Sequence, residues 1–121
     1  MTKKFEFTNE TIITPNGTKL HRIVALIDFN DVKAGQLGGF VQYEDNLSHN
    51  GNAWVYGNAC VFDNAKVYGD SLVTGRAKVY GDACVFDNAK VYGDASVTGR
   101  AKVHGNSCIT SGVYMRCRGD R

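Results

Sequence analysis

An aliphatic residue returns at every sixth position through the second half of the chain. The positions are Val55, Val61, Val67, Val73, Val79, Val85, Val91, Val97, Val103 and Ile109, without one slip. Two residues before each aliphatic stands Ala or Ser, and two residues after it stands Gly or Asp, with Ser111 as the exception. In a strand the small residue and the Val share one face, and Gly or Asp then suits a corner. The pattern therefore predicts one short strand and one corner for every six residues.

Such a unit cannot bury its own Val face, so its stability must come from stacking successive coils. The pattern resembles the hexapeptide-repeat left-handed β-helix, in which three hexads make one triangular coil. That family usually has Gly or another small residue directly after the aliphatic, whereas this chain has Tyr, Phe, Thr or His there. We predict an all-β fold, a single-stranded parallel β-helix over residues 46–112 with about 18 residues per coil. Left-handed winding is favoured, and a right-handed β-helix is the alternative.

A longer duplication runs over the hexads. The segments Gly57–Tyr80 and Gly81–His104 differ at only four positions and lie 24 residues apart, which is four hexads. If three hexads make a coil, each copy is rotated by one face relative to the last. Cys60, Cys84 and Cys108 then fall on three different faces and cannot converge on a zinc ion. We predict no metal site and no cofactor.

The same stacking interval brings opposite charges together on neighbouring coils. Arg76 is expected beside Asp94, and Asp82 beside Arg100. Asn52, Asp70, Asn88 and Asn106 are expected to form a polar ladder at one corner. The simpler interpretation of these charges is a solvated face, since an exposed ion pair contributes only about 0–1 kcal/mol.

The first part of the chain breaks the hexad. Two alternating stretches flank Pro15-Asn16-Gly17, and Asn-Gly between β-prone runs is a strong hairpin signal. A solenoid leaves its terminal coil open, so a non-repeating cap is expected at one end. We predict a β-hairpin and loop cap over residues 1–45 and a C-terminal cap or tail over residues 113–121. Gly38-Gly39 is interpreted as a tight bend.

Composition narrows the class of partner. The chain has 121 residues and a net charge of +2, without the basic stripe that drives phosphate binding, so nucleic acid is not the default partner. No apolar run has the length of a membrane span, and the N-terminus has no apolar segment of an export signal. We expect no membrane association, reduced cysteines and a location in the cytoplasm of a bacterial cell.

A family resemblance begins within the cap. The stretch Ala25–Val41, followed by Asn46-Leu47-Ser48 and Gly51–Tyr56, resembles the opening module of YdcK-like proteins, a family of uncharacterised bacterial and phage hexapeptide-repeat proteins. The similarity is most specific through Asp28 to Gly39. These proteins are often labelled transferases, so the resemblance makes an acyltransferase the enzyme hypothesis. Its phage members suggest an inhibitor of a host defence complex, such as a nuclease or a CRISPR complex.

Candidate catalytic residues are few. His104 is the only histidine of the regular repeat, and it occupies the outward position that Tyr80 holds in the first copy. A general base needs an orienting partner and an excluded pocket, and the uninterrupted hexads supply neither. His49 stands at a Val position of the run-in hexad and is interpreted as a satisfied group at the edge of the core, while His21 lies in the hairpin. We predict no catalytic residue.

The outward aromatic side chains are therefore the candidate functional surface. Its predicted members are Trp54, Tyr56, Phe62, Tyr68, Leu72, Tyr80, Phe86, Tyr92 and His104. Contiguous exposed apolar area usually marks an interface, although stacked aromatics can also serve cross-strand packing alone. The sequence predicts a non-catalytic β-helix that binds another protein or itself as a homo-oligomer. An acyltransferase-like protein and a passive structural module are the alternatives.

Overall fold

The protein is an all-β solenoid with almost no helix. A computed structural model describes residues 3–29, 31–49 and 51–110, together with the backbone of residues 113–116. The N-terminal strands are β1 (Phe5–Ile13), β2 (Lys19–Ala25) and β3 (Leu37–Val41), followed by a 3-10 turn at Glu44–Asn46. The coils then contribute β4 (Trp54–Val55), β5 (Cys60–Val61), β6 (Lys66–Val67), β7 (Leu72–Val73), β8 (Lys78–Val79), β9 (Cys84–Val85), β10 (Lys90–Val91), β11 (Ser96–Arg100), β12 (Lys102–Val103), β13 (Cys108–Ile109) and β14 (Val113–Arg116). Within these described ranges no helix has the length and apolarity to cross a membrane.

The short strands stack into three parallel sheets. The first sheet runs β3-β5-β8-β11-β14, the second β4-β7-β10-β13 and the third β6-β9-β12. In the second sheet Val55 pairs with Val73 and Val73 with Val91, so paired residues lie 18 positions apart. The predicted parallel β-helix and its coil length are confirmed, with about four turns. The handedness of the winding stays a prediction.

The core is the Val column with its small neighbours. Val55 through Val103 at the six-residue spacing are at most 1% exposed, and Ala53 through Ala101 are likewise buried. Ile109 is only half-buried, because β13 is the last strand of its sheet. Ser71 replaces an Ala inside the core, where its hydroxyl lies 2.7 Å from the Tyr68 carbonyl oxygen and 3.0 Å from that of Val85. The predicted alternation is thus confirmed over the described coils.

Every described corner adopts the left-handed backbone conformation that the pattern predicts. Positive φ occurs at Gly57, Asp63, Gly69, Gly75, Gly81, Asp87, Gly93, Gly99 and Gly105. The two aspartates at these corners also bond to the neighbouring coil. Asp63 Oδ2 accepts the Gly81 N–H at 3.2 Å, and Asp87 Oδ2 accepts the Gly105 N–H at 3.0 Å, so each carboxylate bonds the same corner one coil later.

The predicted charge pairs are adjacent but do not form ion pairs. Arg76 donates its backbone N–H to the Gly93 carbonyl oxygen, yet among the described residues no ion pair joins Arg76 to Asp94 or Asp82 to Arg100. Instead Asn64 Nδ2 donates to Asp82 Oδ1 at 3.1 Å. All four charged side chains are exposed. At the corner of the predicted polar ladder, the Asn52 N–H donates to Asp70 Oδ1 at 3.3 Å.

The N-terminal strands form the predicted hairpin and extend the first sheet. β1 pairs antiparallel with β2, β2 with β3, and β3 runs parallel to β5. Gly38 and Gly39 lie within β3, so the predicted bend is wrong. A Cβ on Gly38 would stand 2.7 Å from the Trp54 ring, and one on Gly39 would stand close to the Ala59 carbonyl oxygen. The glycines therefore allow β3 to approach the first coil.

A buried lysine joins the cap to the open first coil. Lys4 is 1% exposed, and its Nζ donates to the carbonyl oxygens of Ala53 at 2.6 Å and Gly51 at 3.3 Å. The ammonium group also lies 4.8 Å from the centre of the Phe29 ring. Burial lowers the pKa of Lys4 to about 8, against a smaller opposing effect of the Asp70 carboxylate. The Lys4 ammonium group thereby supplies a hydrogen-bond donor to backbone carbonyl groups at the open end of the solenoid.

Candidate functional site

Two aromatics of the predicted surface are buried, contrary to the sequence prediction. Trp54 is 0% exposed, with edge contacts to the rings of Phe5 and Phe29 at centroid distances of 6.3 and 5.3 Å. Phe62 is 8% exposed and packs in a cluster with Leu20 and Phe40. The pleat places these residues outside the Val column, but it does not show that the N-terminal segment covers them.

The second sheet consequently lacks the continuous apolar patch that the sequence predicts. Tyr56 and Leu72 are half-buried and pack against the core cluster. Tyr92 is exposed at 37% but stands beyond Thr74, which separates it from Tyr56 along the sheet. On the first sheet, Tyr80 is half-buried and stacks on Phe62 at 4.9 Å.

The third sheet carries an exposed aromatic ladder. Tyr68 stacks on Phe86 with ring centroids 5.1 Å apart and planes 7° from parallel, and Phe86 stacks on His104 at 5.4 Å and 21°. Tyr68 is 38% exposed, His104 is exposed and Phe86 is half-buried. We call these three residues the aromatic ridge. The stacking of these side chains at the 18-residue interval is confirmed.

Lysines flank the aromatic ridge. Cys84 pairs in register with Lys66 on one side and Lys102 on the other. Both lysines are exposed, and within the described ranges neither forms an ion pair. Because the rings cover one another's faces, the ridge presents mainly ring edges to solvent. Single-stranded nucleic acids bind by stacking bases on ring faces, so the ridge does not suit that partner.

A cleft of about 490 Å³ opens at the lower end of the ridge, beside Tyr68. Its lining is Glu44, Asp45, Leu47, Ser48, His49, Lys66, Val67 and Tyr68. Sequence reasoning missed Glu44 and Asp45 because they lie before the repeat. The one available signal was the position of these acids next to the run-in hexad that begins at Leu47.

Glu44 in the wall of the cleft forms an ion pair with Lys3 and lies close to His49. Glu44 Oε2 lies 2.9 Å from Lys3 Nζ, and Glu44 Oε1 lies 3.5 Å from His49 Nε2. The hydrogen bond from Lys3 lowers the pKa of the Glu44 carboxyl group, so Glu44 is ionised at neutral pH. Burial, followed by the nearby Cys84 and Asp87, raises the pKa of Tyr68, which keeps its phenol neutral.

The geometry of His49 does not favour a role as general base. Its Nδ1 accepts the Lys4 backbone N–H at 3.0 Å, and its ring stacks on Phe5 at 4.3 Å. A neutral imidazole whose Nδ1 accepts a hydrogen bond carries its proton on Nε2, which faces Glu44. That nitrogen then has no free lone pair with which to take a proton from a substrate. His49 lies at the edge of the core, but its buried Nε2 makes no hydrogen bond among the described residues, so the prediction that this histidine is satisfied is wrong at that atom.

The other histidines do not form a catalytic group with neighbouring side chains. His104 stacks on Phe86, and in the described part of the chain no carboxylate orients its ring. His21 stacks on Phe7 at 4.5 Å in the hairpin. Cys60, Cys84 and Cys108 lie in the first, third and second sheets respectively, as the duplication predicts. Residues 3–110, leaving out the undescribed positions 30 and 50, contain no cluster of three potential metal ligands.

A second cavity, of about 420 Å³, lies between the hairpin tip and the first sheet. Ile12 and Ile13 of β1 line this cavity together with Lys78 and the stacked rings of Phe62 and Tyr80. Ile13 is 61% exposed. This cavity belongs to the junction of cap and coil, whereas the ridge and its cleft lie on the third sheet.

Comparison with known proteins finds a short stretch of similarity to a named relative. No protein-family model matches the chain. A stretch of 45 residues is 47% identical to the protein called "Uncharacterized acetyltransferase YdcK" of Escherichia coli strain K12. The match covers 34% of this chain and 14% of the relative's length. The chain is thus a partial homologue of YdcK, and its β-solenoid fits the hexapeptide-repeat β-helix family.

Proposed function

We propose that the protein is a non-catalytic β-helix that binds another protein or a second copy of itself through the aromatic ridge. The observation that carries the proposal is the difference between the sheets. The N-terminal segment buries Trp54 and Phe62, whereas Tyr68 and His104 of the third sheet stay exposed. The third sheet therefore keeps a stacked aromatic row at its surface, whereas the first coil has two of its outward aromatics covered.

The composition of this surface matches that of protein interfaces. Interfaces place aromatic residues at the centre and polar residues at the rim, with charges depleted from the buried part. Here the ridge forms an apolar line, and Lys66 and Lys102 lie beside it. The coils beneath are held by a continuous backbone ladder, exemplified by the Tyr68 N–H to the Val85 carbonyl oxygen at 2.9 Å. Binding would therefore order few additional groups.

The biological setting of this proposal comes from the family resemblance. Phage members of the YdcK-like family make inhibition of a host nuclease or CRISPR complex the specific form of the hypothesis. That role would place the protein in the cytoplasm of a bacterial cell. The aromatic ridge specifies the chemistry of the contact and not the name of the partner.

Two matched substitutions test the ridge. Phe86→Ser interrupts the ladder, and Tyr92→Ser removes an exposed ring from the same hexad position of the second sheet. Sedimentation measures self-association, and co-purification with tagged protein from bacterial cells measures a partner. We expect Phe86→Ser to lose the association and Tyr92→Ser to keep it, with unchanged circular dichroism. If both variants associate to the same extent, the aromatic ridge is not the contact surface. If the unmodified chain does not associate at all, a passive structural module is favoured.

An acetyltransferase is the second candidate, because the relative's name leaves enzymatic activity open. Its test is the release of free coenzyme A from acetyl-CoA in the presence of a panel of amines and alcohols. His104→Ala and His49→Ala are the diagnostic variants. Turnover that is lost in either variant, while its circular dichroism is retained, would overturn the non-catalytic proposal.

A further inference from the structure

The stack of aromatic rings ends at Tyr68, and the described residues of the preceding coil add no further ring to it. Phe86 covers one face of the Tyr68 ring, because the two rings are nearly parallel at 5.1 Å. The coil on the other side of Tyr68 is formed by Leu47 and Ser48, where the Ser48 N–H donates to the Val67 carbonyl oxygen at 2.9 Å. No aromatic side chain of the described residues continues the stack there. The cleft lies where a further aromatic ring would continue the stack beside Tyr68.

Two carboxylates and one lysine, Lys66, line this space, and the Asp45 carboxylate is the group available to a cation. Asp45 is exposed, lines the cleft and, among the described residues, has neither an ion pair nor a side-chain hydrogen bond. Glu44 adds a second carboxylate, which Lys3 and His49 share. The floor is apolar, since Leu47 and Val67 are 1% and 0% exposed. A planar cation could cover the Tyr68 ring and the apolar floor while its edge faced Asp45.

We infer that the cleft binds the guanidinium group of an arginine side chain of the protein partner, stacked on Tyr68 and paired with Asp45. The inference rests on the proposed function and adds the chemistry of the partner. Arginine is favoured over lysine because its guanidinium is planar, stacks on aromatic faces and pairs with carboxylates through two parallel hydrogen bonds. The ammonium group of lysine offers neither the plane nor the fork.

A substitution of Lys66 distinguishes a cationic from an anionic ligand in the cleft. Its side chain lines the same cleft and has no ion-pair partner among the described residues. A bound cation is repelled by Lys66, so Lys66→Gln should strengthen the binding of arginine. An anionic ligand would be attracted by Lys66, and the same substitution would weaken its binding.

The test is a titration of the full chain with the peptide acetyl-Gly-Arg-Gly-amide at low salt, followed by the nuclear magnetic resonance signals of the backbone amides of the cleft, which every variant retains. Acetyl-Gly-Lys-Gly-amide and guanidinium chloride are the comparison ligands. We expect the arginine peptide to bind at least about fivefold more tightly than either, which corresponds to about 1 kcal/mol. Equal binding of the lysine peptide would overturn the inference, and equal binding of guanidinium chloride would reject a polypeptide partner for the cleft.

Variants separate the cleft from the rest of the surface. Asp45→Asn and Tyr68→Leu should each weaken the arginine peptide by about three- to tenfold, a loss of about 1 kcal/mol. The matched controls are Asp94→Asn and Tyr92→Leu, since both controls are exposed and lie outside the cleft. Unchanged binding in Asp45→Asn, or weaker binding in Lys66→Gln, would overturn the inference.

Failure of this inference and failure of the proposed function give different results. If the arginine peptide does not bind while Phe86→Ser still abolishes association, the cleft assignment is wrong and the ridge remains the contact surface. If the peptide binds and Phe86→Ser keeps full association, the ridge is wrong, and the cleft loses its link to that partner. Phe86 stacks on Tyr68 but does not line the cleft, so Phe86→Ser leaves every lining residue of the cleft in place.

Discussion

Asp87 and Gly105 occupy the same corner of the solenoid on successive coils, and a hydrogen bond joins them. The Asp87 carboxylate accepts the Gly105 N–H at 3.0 Å, and the two residues have φ angles of 60° and 63°. Asp63 and Gly81 repeat the arrangement at another corner. An aspartate at a corner therefore offsets the strain of its left-handed backbone by a bond between coils.

This relationship predicts an unusual order of stability at position 87. Asp87→Ala keeps a side chain at positive φ and loses the hydrogen bond, so it should lower the free energy of unfolding by about 1–2 kcal/mol. Asp87→Gly loses the same bond but relieves backbone strain of about 1 kcal/mol, so it should be nearly neutral. Urea unfolding followed by circular dichroism measures both. An Ala variant as stable as the Gly variant would contradict the explanation.

Two corner glycines should differ in their tolerance of a methyl group. Gly57 and Gly75 share one corner and have φ angles of 60° and 70°. A Cβ on Gly57 would have its nearest neighbour at 3.7 Å, whereas one on Gly75 would stand 2.9 Å from the Gly93 backbone nitrogen. Gly57→Ala should cost about 1–2 kcal/mol from backbone strain alone. Gly75→Ala should cost about 1–3 kcal/mol more, because the next coil must shift.

The comparison of these two variants uses the same thermal or urea unfolding measurement. The difference between them isolates the close approach of successive coils, since the backbone term is nearly common to both. Equal losses would mean that the coils separate without cost at this corner.

Trp54 is expected to act through stability and not through association. Trp54→Ala empties a buried site between Phe5 and Phe29 and should lower the free energy of unfolding by about 3–5 kcal/mol. Tyr92→Ala, at an exposed position, should change it by less than about 1 kcal/mol. The chain has a single tryptophan, so blue-shifted emission of the unmodified protein checks its burial independently. Emission typical of a solvated indole would contradict the structure.

Because the pKa of Lys4 is lowered in the folded chain, we predict that the free energy of unfolding increases at alkaline pH. Its pKa is about 8 in the folded chain and 10.5 for the ordinary side chain. Between these values the unfolded chain holds a proton that the folded chain has released, so the free energy of unfolding increases with pH. Below about pH 8 both states are protonated, and this contribution is constant.

The measurement compares the unmodified chain with Lys4→Met by urea unfolding from pH 7 to pH 10.5. The difference in free energy between the two proteins should grow with pH above about 8, in favour of the unmodified chain. Lys33→Met is the control, because it leaves the buried Lys4 in place and should preserve the slope. A difference that is independent of pH would show that Lys4 is not buried as a charged group.

Cysteine reactivity should follow burial. Cys60 is 6% exposed, and burial raises the pKa of its thiol against a smaller effect of Lys78. Cys108 is exposed on the second sheet. Because the thiolate is the reactive form, Cys108 should be alkylated at least about tenfold faster than Cys60 under native conditions. Peptide mapping by mass spectrometry measures both rates, and addition of urea should abolish the difference.

The sequence by itself determined the solenoid, because the information for it is repeated and local. One Val in every six residues specifies a buried column, and Gly or Asp two positions later specifies a corner at which φ is positive. Each coil contacts mainly its neighbours, so a pattern read along the chain translates directly into strands 18 residues apart. The separation of Cys60, Cys84 and Cys108 onto three sheets followed from the same arithmetic.

The tertiary structure alone decided which outward residues remain a surface. Trp54 and Phe62 follow the same pleat as Leu72 and Tyr80, yet the N-terminal strands bury the first pair. The contact of Lys4 with the Ala53 carbonyl oxygen spans 49 residues and has no periodic signature. The cleft beside Tyr68 likewise depends on the non-repeating segment, because Glu44 and Asp45 of the 3-10 turn at Glu44–Asn46 contribute to its lining. A repeat specifies how its units stack, whereas the position of a single, non-repeating cap depends on packing between distant segments.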